Sequence, residues 1–442
     1  MRDTRTVRIE AGALDAVCEV LRTDFPGARA LVIADERTFA VAGARVTAQL
    51  RAADLLAGEP LVFPGDPPPY ADREHLARVE AALSASDAVP VAVGAGTIND
   101  LTKLAAHDAG RAYACVATAA SMDGYTSFGA IVTERGFKRT IGCPAPRAVI
   151  ADLDVLAAAP RALNAAGYGD LLGKVTAGAD WLVADALGIE PIHDEAWRLV
   201  QDPLRGWLAD PAAVRAGDRA ALERLFEGLT VVGIAMQCAS SSRPASGAEH
   251  RFSHLWEMEA ISEGRPAHLH GAKVGIGSIA TAALYERLLT RDLRHLDVDA
   301  AVSAHPSPAQ AEAHARRSHR DPVVAENAVR ETRAKAVEPD VLRERLERLR
   351  SVWGDLRRAL AAQLLAPQTL HAMLTAAGAP TRPEQIGVDQ RRFRAAHDAA
   401  RTIRARYTML DLLFETGLLG PIVAEVLGPE GYWHGASAAD RR

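Results

Sequence analysis

The stretch Val89–Lys103, VPVAVGAGTINDLTK, decides the fold class. Its apolar opening, VPVAV, has the length and β-branched content of a buried strand. The strand runs straight into Gly94-Ala95-Gly96, and a helix starts by Asp100. Strand, glycine turn and helix together make one βα unit of a parallel sheet. Working outward, Ala30–Ala34 (ALVIA), Leu61–Phe63 (LVF) and Ala112–Ala117 (AYACVA) read as further strands, and Arg73–Ser84 has helical periodicity. After about Leu156 the strand signals stop. Segments near Leu171–Leu187, Arg219–Ala239, His270–Leu289, Asp340–Leu365 and Phe393–Ala405 have helical character. The expected architecture is an α/β Rossmann-like domain with a parallel sheet over residues 1–158, followed by an all-helical domain over 159–442. Residues 305–338 form a polar stretch rich in Arg, His, Ala and Glu, read either as an exposed helical insertion or as a flexible excursion.

The bulk composition narrows the function classes. A chain of 442 residues is too long for one ordinary core. Hydrophobic residues at 48% and charged residues at 24% fit a soluble globular protein. A net charge of −5 gives no basic footprint for nucleic acid. No apolar run is long enough for a membrane span, and the N-terminus MRDTRTVRIEAG lacks a signal-like apolar region. The four cysteines, Cys18, Cys115, Cys143 and Cys238, form no C-x-x-C pair. The expectation is therefore a cytoplasmic protein without a disulfide framework.

Two strand ends and one histidine-rich segment carry candidate chemistry. Glycines at the end of a strand let backbone amides approach a pyrophosphate, and the helix N-terminus adds partial positive charge. The pattern is not G-x-G-x-x-G, because Asn99 stands at its last position, and a plain βα turn is the alternative. Thr118, Ala119, Ala120 and Ser121 follow the AYACVA strand with small and hydroxyl groups suited to a cofactor; Asx- or ST-turns are the alternative. Asp35 ends the ALVIA strand, where it either accepts from a ribose hydroxyl or caps the next helix. In SSSRPASGAEHRFSHLWEMEAISEGRPAHLHGAKVGIG, His250 and His254 are four residues apart and share one helical face. His270 follows, and Asp170 sits upstream after a glycine, read as the mouth of a helix. One Asp and two His with open coordination positions suit a catalytic divalent cation; His268 is a rival ligand.

Taken together, VAVGAGTINDLTK, ATAASMDGYTSFGA, PRAVIADLDVLAAAP with AAGYGDLLGKVTAGADW, SRPASGAEHRFSH and HGAKVGIG resemble the sn-glycerol-1-phosphate dehydrogenases. That family lies within the iron-containing alcohol dehydrogenase and dehydroquinate synthase-like superfamily, and the likeness is to its bacterial branch. It spans about residues 5–295, with a weaker echo near Ile386–Ile403. The resemblance implies an N-terminal Rossmann-like domain, a helical C-terminal domain and a site in the cleft between them. It implies Asp170, His250 and His270 as metal ligands, with Asp170 also touching substrate, and Asp123 and His254 as substrate contacts. It implies cofactor contacts at Asp35, at Gly96, Thr97, Ile98, Asn99 and Asp100, at Thr118, Ala119, Ala120 and Ser121, and at Ser127. The implied cofactors are NAD or NADP and one divalent ion, zinc or nickel, with iron also open.

The expected reaction is the interconversion of dihydroxyacetone phosphate and sn-glycerol 1-phosphate by a homo-oligomer, a dimer or larger, with no nucleic-acid or membrane partner. Arg243, Arg251, Lys174 and Lys273 flank the motifs as candidates for the substrate phosphate. The alternatives are a dehydrogenase of another polyol or polyol phosphate, a dehydroquinate synthase-like cyclase, and a non-catalytic protein that kept the fold.

Overall fold

The computed structural model describes residues 3–134 and 137–434, the side chains of 134–139 excepted. The chain divides into two compact units. The first is Met1–Leu171, Arg198–Ser242 and Ala376–Gly378; the second is Leu172–Trp197, Arg243–Thr375 and Ala379–Arg442.

The first unit is built on a six-stranded sheet with all pairs parallel. Its strands are β1 (Thr6–Glu10), β2 (Ala30–Asp35), β3 (Leu61–Phe63), β4 (Val89–Gly94), β5 (Ala114–Ala117) and β8 (Ala148–Asp152). β6 (Ala130–Glu134) and β7 (Phe137–Ile141) make a separate antiparallel pair. β2, β4, β5 and β8 are continuous apolar runs, as expected for strands covered on both faces. One face packs into a core of Leu14, Val17, Leu21, Val32, Val46, Leu50, Val91, Val93, Val116 and Ile150.

The spatial order is β1-β8-β5-β4-β2-β3. From β2 the chain steps outward to β3, then returns to the other side of β2 and moves away through β4 and β5. The order therefore reverses between β2 and β4. In open α/β sheets a ligand crevice forms at such a reversal, beyond the carboxyl ends of the strands. Asp35 ends β2 and Gly94 ends β4. β5 ends beside β4, with Ala117 opposite Gly94.

The second unit is helical. Its segments include Lys174–Ala186, Ala248–Ser262, His270–Leu288, Pro339–Gln363 and Gln390–Thr402. The polar stretch 305–338 is mostly helical. Pro308–Ser318 and Pro322–Lys335 pack on each other through Ala315, Ala328 and Val329. Each begins with a capping residue, Ser307 and Asp321, and a proline in the first turn, which fixes where the helix starts. No helix among the described residues is long and apolar enough to cross a membrane.

Candidate active site

The first strand end bears Asp35. Its Oδ1 accepts from the backbone N–H groups of Arg37 and Thr38, 2.9 Å each, and Thr38 returns a bond to the Asp35 N–H. Asp35 is thus the N-cap of a short helix. Both bonds use Oδ1, which leaves Oδ2 for a second role.

After β4 the helix Gly96–Asp108 begins at Ala95, which has no side chain able to cap it. The first-turn N–H groups of a 13-residue helix are therefore left to an external acceptor. Neither Gly94 nor Gly96 needs a positive φ. Gly96, Thr97 and Asp100 are half-buried, while Ile98 and Asn99 are buried. Asn99 is committed inward: its Oδ1 accepts from the Tyr113 hydroxyl at 3.1 Å and its Nδ2 donates to the Gly124 carbonyl at 3.3 Å.

The loop after β5 is fixed from below. Lys103 is 1% exposed and its Nζ donates to the carbonyls of Gly124, Ser127 and Gly129 at 2.9, 2.8 and 3.2 Å. Burial lowers its pKa. Three carbonyls satisfy the three donors of an ammonium, so Lys103 acts as a peg for the segment carrying Asp123 and Ser127. The sequence reading quoted Lys103 without giving it a role, and nothing in sequence alone marks it. Thr118, Ala119, Ala120, Ser121, Asp123 and Ser127 are all buried, and the Ala120 N–H donates to Asn164 Oδ1 at 3.0 Å.

Asp170 lies within the helix Arg161–Leu172, near its end, rather than at a helix mouth. The residue before it, Gly169, lies inside the same helix, as does Gly167. A Cβ at Gly167 would lie 1.8 Å from the Ala120 carbonyl oxygen. This close approach brings the Asp123 N–H to Asp170 Oδ2, 3.0 Å away. The second unit begins on the same helix, two residues beyond Asp170.

His250 and His254 lie on the helix Ala248–Ser262, and His270 is the first residue of the helix His270–Leu288. The two helices touch closely because Gly277 has no side chain: a Cβ there would stand 2.5 Å from the Glu249 carbonyl oxygen. Ring centroids are 5.2 Å apart for His250 and His270, 6.0 Å for His254 and His270, and 6.2 Å for His250 and His254. Asp170, His250 and His270 each offer one ligand atom, and these atoms lie within 4.8 Å of one another.

Two neighbours set the ring orientations. Glu249 Oε1 lies 2.8 Å from His250 Nδ1, and Glu249 Oε2 accepts from the Thr176 hydroxyl at 2.8 Å. Ser253 Oγ lies 3.4 Å from His270 Nδ1. Each contact is made at Nδ1, and a partner there orients the ring, which is how histidine ligands are commonly held. Burial pushes the Glu249 carboxyl up, but the hydrogen bond to His250, that ring's charge and the Gly247 N–H outweigh it and hold the pKa below its ordinary value. Asp180, one layer back, accepts from the Ala248 N–H, the Tyr285 hydroxyl and the Met409 N–H. Burial and the Glu249 charge push its carboxyl up to about 6. Glu249 is not among the candidate residues read from sequence, where its adjacency to His250 is the available signal.

The four flanking cations differ from phosphate candidates in their surroundings. Arg243 is fully buried and donates to the carbonyls of Tyr407 and Asp180. Arg251 binds the Arg401 carbonyl and Asp411, and Lys273 pairs with Glu257 at 3.0 Å. Lys174 is fully buried. His268 is part of no metal-ligating group found among the described residues.

Comparison with known proteins follows the same lines. Residues 8–160 match the model of the iron-containing alcohol dehydrogenase family. A protein of Bacillus velezensis named glycerol-1-phosphate dehydrogenase (NAD(P)+) is 32% identical over 390 residues, 88% of this chain and 86% of that one. The protein of the same name from Geobacillus thermodenitrificans is 32% identical over 397 residues, 88% of each chain. Among solved structures, a probable glycerol dehydrogenase from Sinorhizobium meliloti shares the fold, with a TM-score of 0.60 at 18% identity, covering 95% of this chain and 97% of that one.

Proposed function

Since the chain belongs to the glycerol-1-phosphate dehydrogenase family, we propose that it interconverts dihydroxyacetone phosphate and sn-glycerol 1-phosphate with NADH or NADPH. The observation that carries this reading is the convergence of Asp170, His250 and His270, with Glu249 beside Nδ1 of His250 and Ser253 beside Nδ1 of His270. One carboxylate oxygen and two imidazole nitrogens suit zinc, nickel or iron(II). A cation held there supplies Lewis-acid polarisation of a ketone oxygen.

The chain's own groups take the remaining roles. The uncapped first turn at Gly96, Thr97 and Ile98 receives the pyrophosphate, with Asn99 and Asp100 shaping that turn. Asp35 Oδ2 accepts from the adenosine ribose. Thr118–Ser121 and Ser127, held by Lys103, line the nicotinamide end. Asp123 meets a substrate hydroxyl. Bound there, a nicotinamide cofactor would supply hydride to the carbonyl carbon, and His254 would hand over the proton that completes the new hydroxyl.

The deciding experiment strips the protein with chelator, reloads it with zinc, nickel or iron(II), and follows NADH and NADPH oxidation with dihydroxyacetone phosphate. Turnover should return with at least one metal. Turnover of unphosphorylated dihydroxyacetone alone would move the chain to a polyol dehydrogenase and overturn the assignment.

Two further outcomes follow from the geometry. Glu249→Gln keeps the size of the group but removes its charge from His250, so metal affinity should fall by about 10–100-fold, read by competition with a chromogenic chelator; unchanged affinity would leave Glu249 a purely structural cap. Asp35 next to a ribose should repel the extra phosphate of NADP. The native enzyme should prefer NADH, and Asp35→Ser should narrow the preference mainly by weakening NADH. A native preference for NADPH in steady-state kinetics would reduce Asp35 to its capping role.

A further inference from the structure

The segment 305–338, which the proposed chemistry does not use, lines a small cavity in the helical unit that several charged side chains border. A chamber of about 50 Å³ is walled by Thr332 and Lys335 from one side and by Arg401, Tyr407, Asp411 and Glu415 from the other. A wider depression of about 430 Å³ adjoins it, sharing His305, Pro306 and Phe414 and adding the apolar side chains of Leu419 and Val423.

The carboxylates around the chamber are already engaged. Asp411 is taken by Lys335, by Arg251 and by the Thr408 N–H. Glu415 is taken by Arg345 and the Tyr407 hydroxyl. Asp398 is taken by His314 and stands 4.0 Å from Arg401 Nε. Arg401 shares these three carboxylates with Arg251, Lys335 and Arg345, and its own approach to one of them is the 4.0 Å contact with Asp398. Arg401 is 2% exposed, lies flat over the Phe414 ring at 3.6 Å, and its Nε and Nη2 have no hydrogen-bond partner among the described residues. Thr332 Oγ1, in the same wall, also lacks one. A buried guanidinium without an acceptor is costly, and its planar fork fits carboxylate and phosphate alike. Burial, the largest cause, together with the neighbouring Arg251 and Arg401 charges lowers the Lys335 ammonium to about 7, which an added anion would reverse.

We propose that this cavity is a second ligand site, in which Arg401, Lys335 and Thr332 bind the oxyanion head of a small carboxylate or phosphate metabolite whose body lies in the Phe414–Leu419–Val423 depression. The site is separate from Asp170, His250 and His270 and does not depend on the reaction assigned to them. Arg251 links the two regions, since it follows His250 in the chain and binds both the Arg401 carbonyl and Asp411.

The test compares thermal unfolding of the full-length protein in sodium phosphate and in sodium acetate with sodium chloride at equal ionic strength. It is run on the native chain, Arg401→Met and Thr332→Val. General salt effects and any anion bound elsewhere are common to all three proteins and cancel in the comparison. The native chain should gain about 1–2 °C more than either variant at near-saturating anion. Arg401→Met also removes the guanidinium over Phe414 and its 4.0 Å contact with Asp398, so its anion gain is read against its own unfolding temperature in chloride. A gain with phosphate alone identifies a phosphoryl head, and a gain with acetate alone a carboxylate. Thr332→Val removes only the orphaned hydroxyl and serves if Arg401→Met does not fold. Equal anion gains in the native chain and the variants, or no gain with either anion, would overturn the proposal.

Discussion

Replacing His250 or His270 with Ala should empty the metal site and lower turnover at least about a hundredfold, because each change removes one of three protein donors and with it the polarisation of the ketone. The two variants should differ in how they fail. His250 is anchored by Glu249, which is buried and held by Thr176 and Gly247. Removing the ring leaves that carboxylate without its strongest partner inside the helix pair, so His250→Ala should also unfold at a lower temperature. His270 begins its helix, and its Nδ1 lies 3.4 Å from the Ser253 hydroxyl rather than against a buried carboxylate. Its loss should affect metal content more than stability. Metal analysis by emission spectroscopy and an unfolding curve on each purified variant check both statements. Full occupancy with native turnover in both would remove the three-donor assignment.

His254→Ala should give the second large effect with a different signature. The ring stands 6.0 Å from His270 and 6.2 Å from His250, centroid to centroid, yet it is not among the three groups whose donor atoms converge. A residue that hands over the proton without holding the metal should leave metal content and cofactor affinity unchanged. It should lower kcat/KM for dihydroxyacetone phosphate by about 10²–10⁴-fold. If His254→Ala loses metal while His250→Ala retains it, the two roles are exchanged. If turnover is unchanged, the proton takes another path.

The fold class was legible in VPVAVGAGTINDLTK because a fully buried parallel strand is a continuous apolar run and its glycine turn is local. β1 and β8 were missed for opposite reasons. β1, TVRIE, is a half-exposed edge strand with charged residues, whose pairing with β8 lies about 140 positions away and leaves no local trace. β8, AVIAD, is a short apolar run that merges into the helical pattern after it. Asp170 is legible as a residue but not in its place on the helix, because Gly169 before it reads in sequence as a helix boundary although it lies inside Arg161–Leu172. Glu249 and Lys103 act through partners that only tertiary packing brings within reach. The stretch 305–338 has caps and prolines that announce its helices, but the ion pairs around Arg401 depend on residues 345, 398, 411 and 415, which the sequence scatters.

The pairing of β1 with β8 also bears on how the chain is made. β1 leaves the ribosome well before its partner, which emerges only with Ala148–Asp152. The first unit then waits for the helix Arg219–Ala239, after an intervening piece of the second unit has been synthesised. Neither unit is a continuous stretch of chain, so neither completes its core during translation before the other has begun. Loop-closure entropy on this scale slows assembly. Until β8 arrives, β1 is a nascent strand with both edges open, and in that interval it is exposed to pairing with other chains and to chaperones.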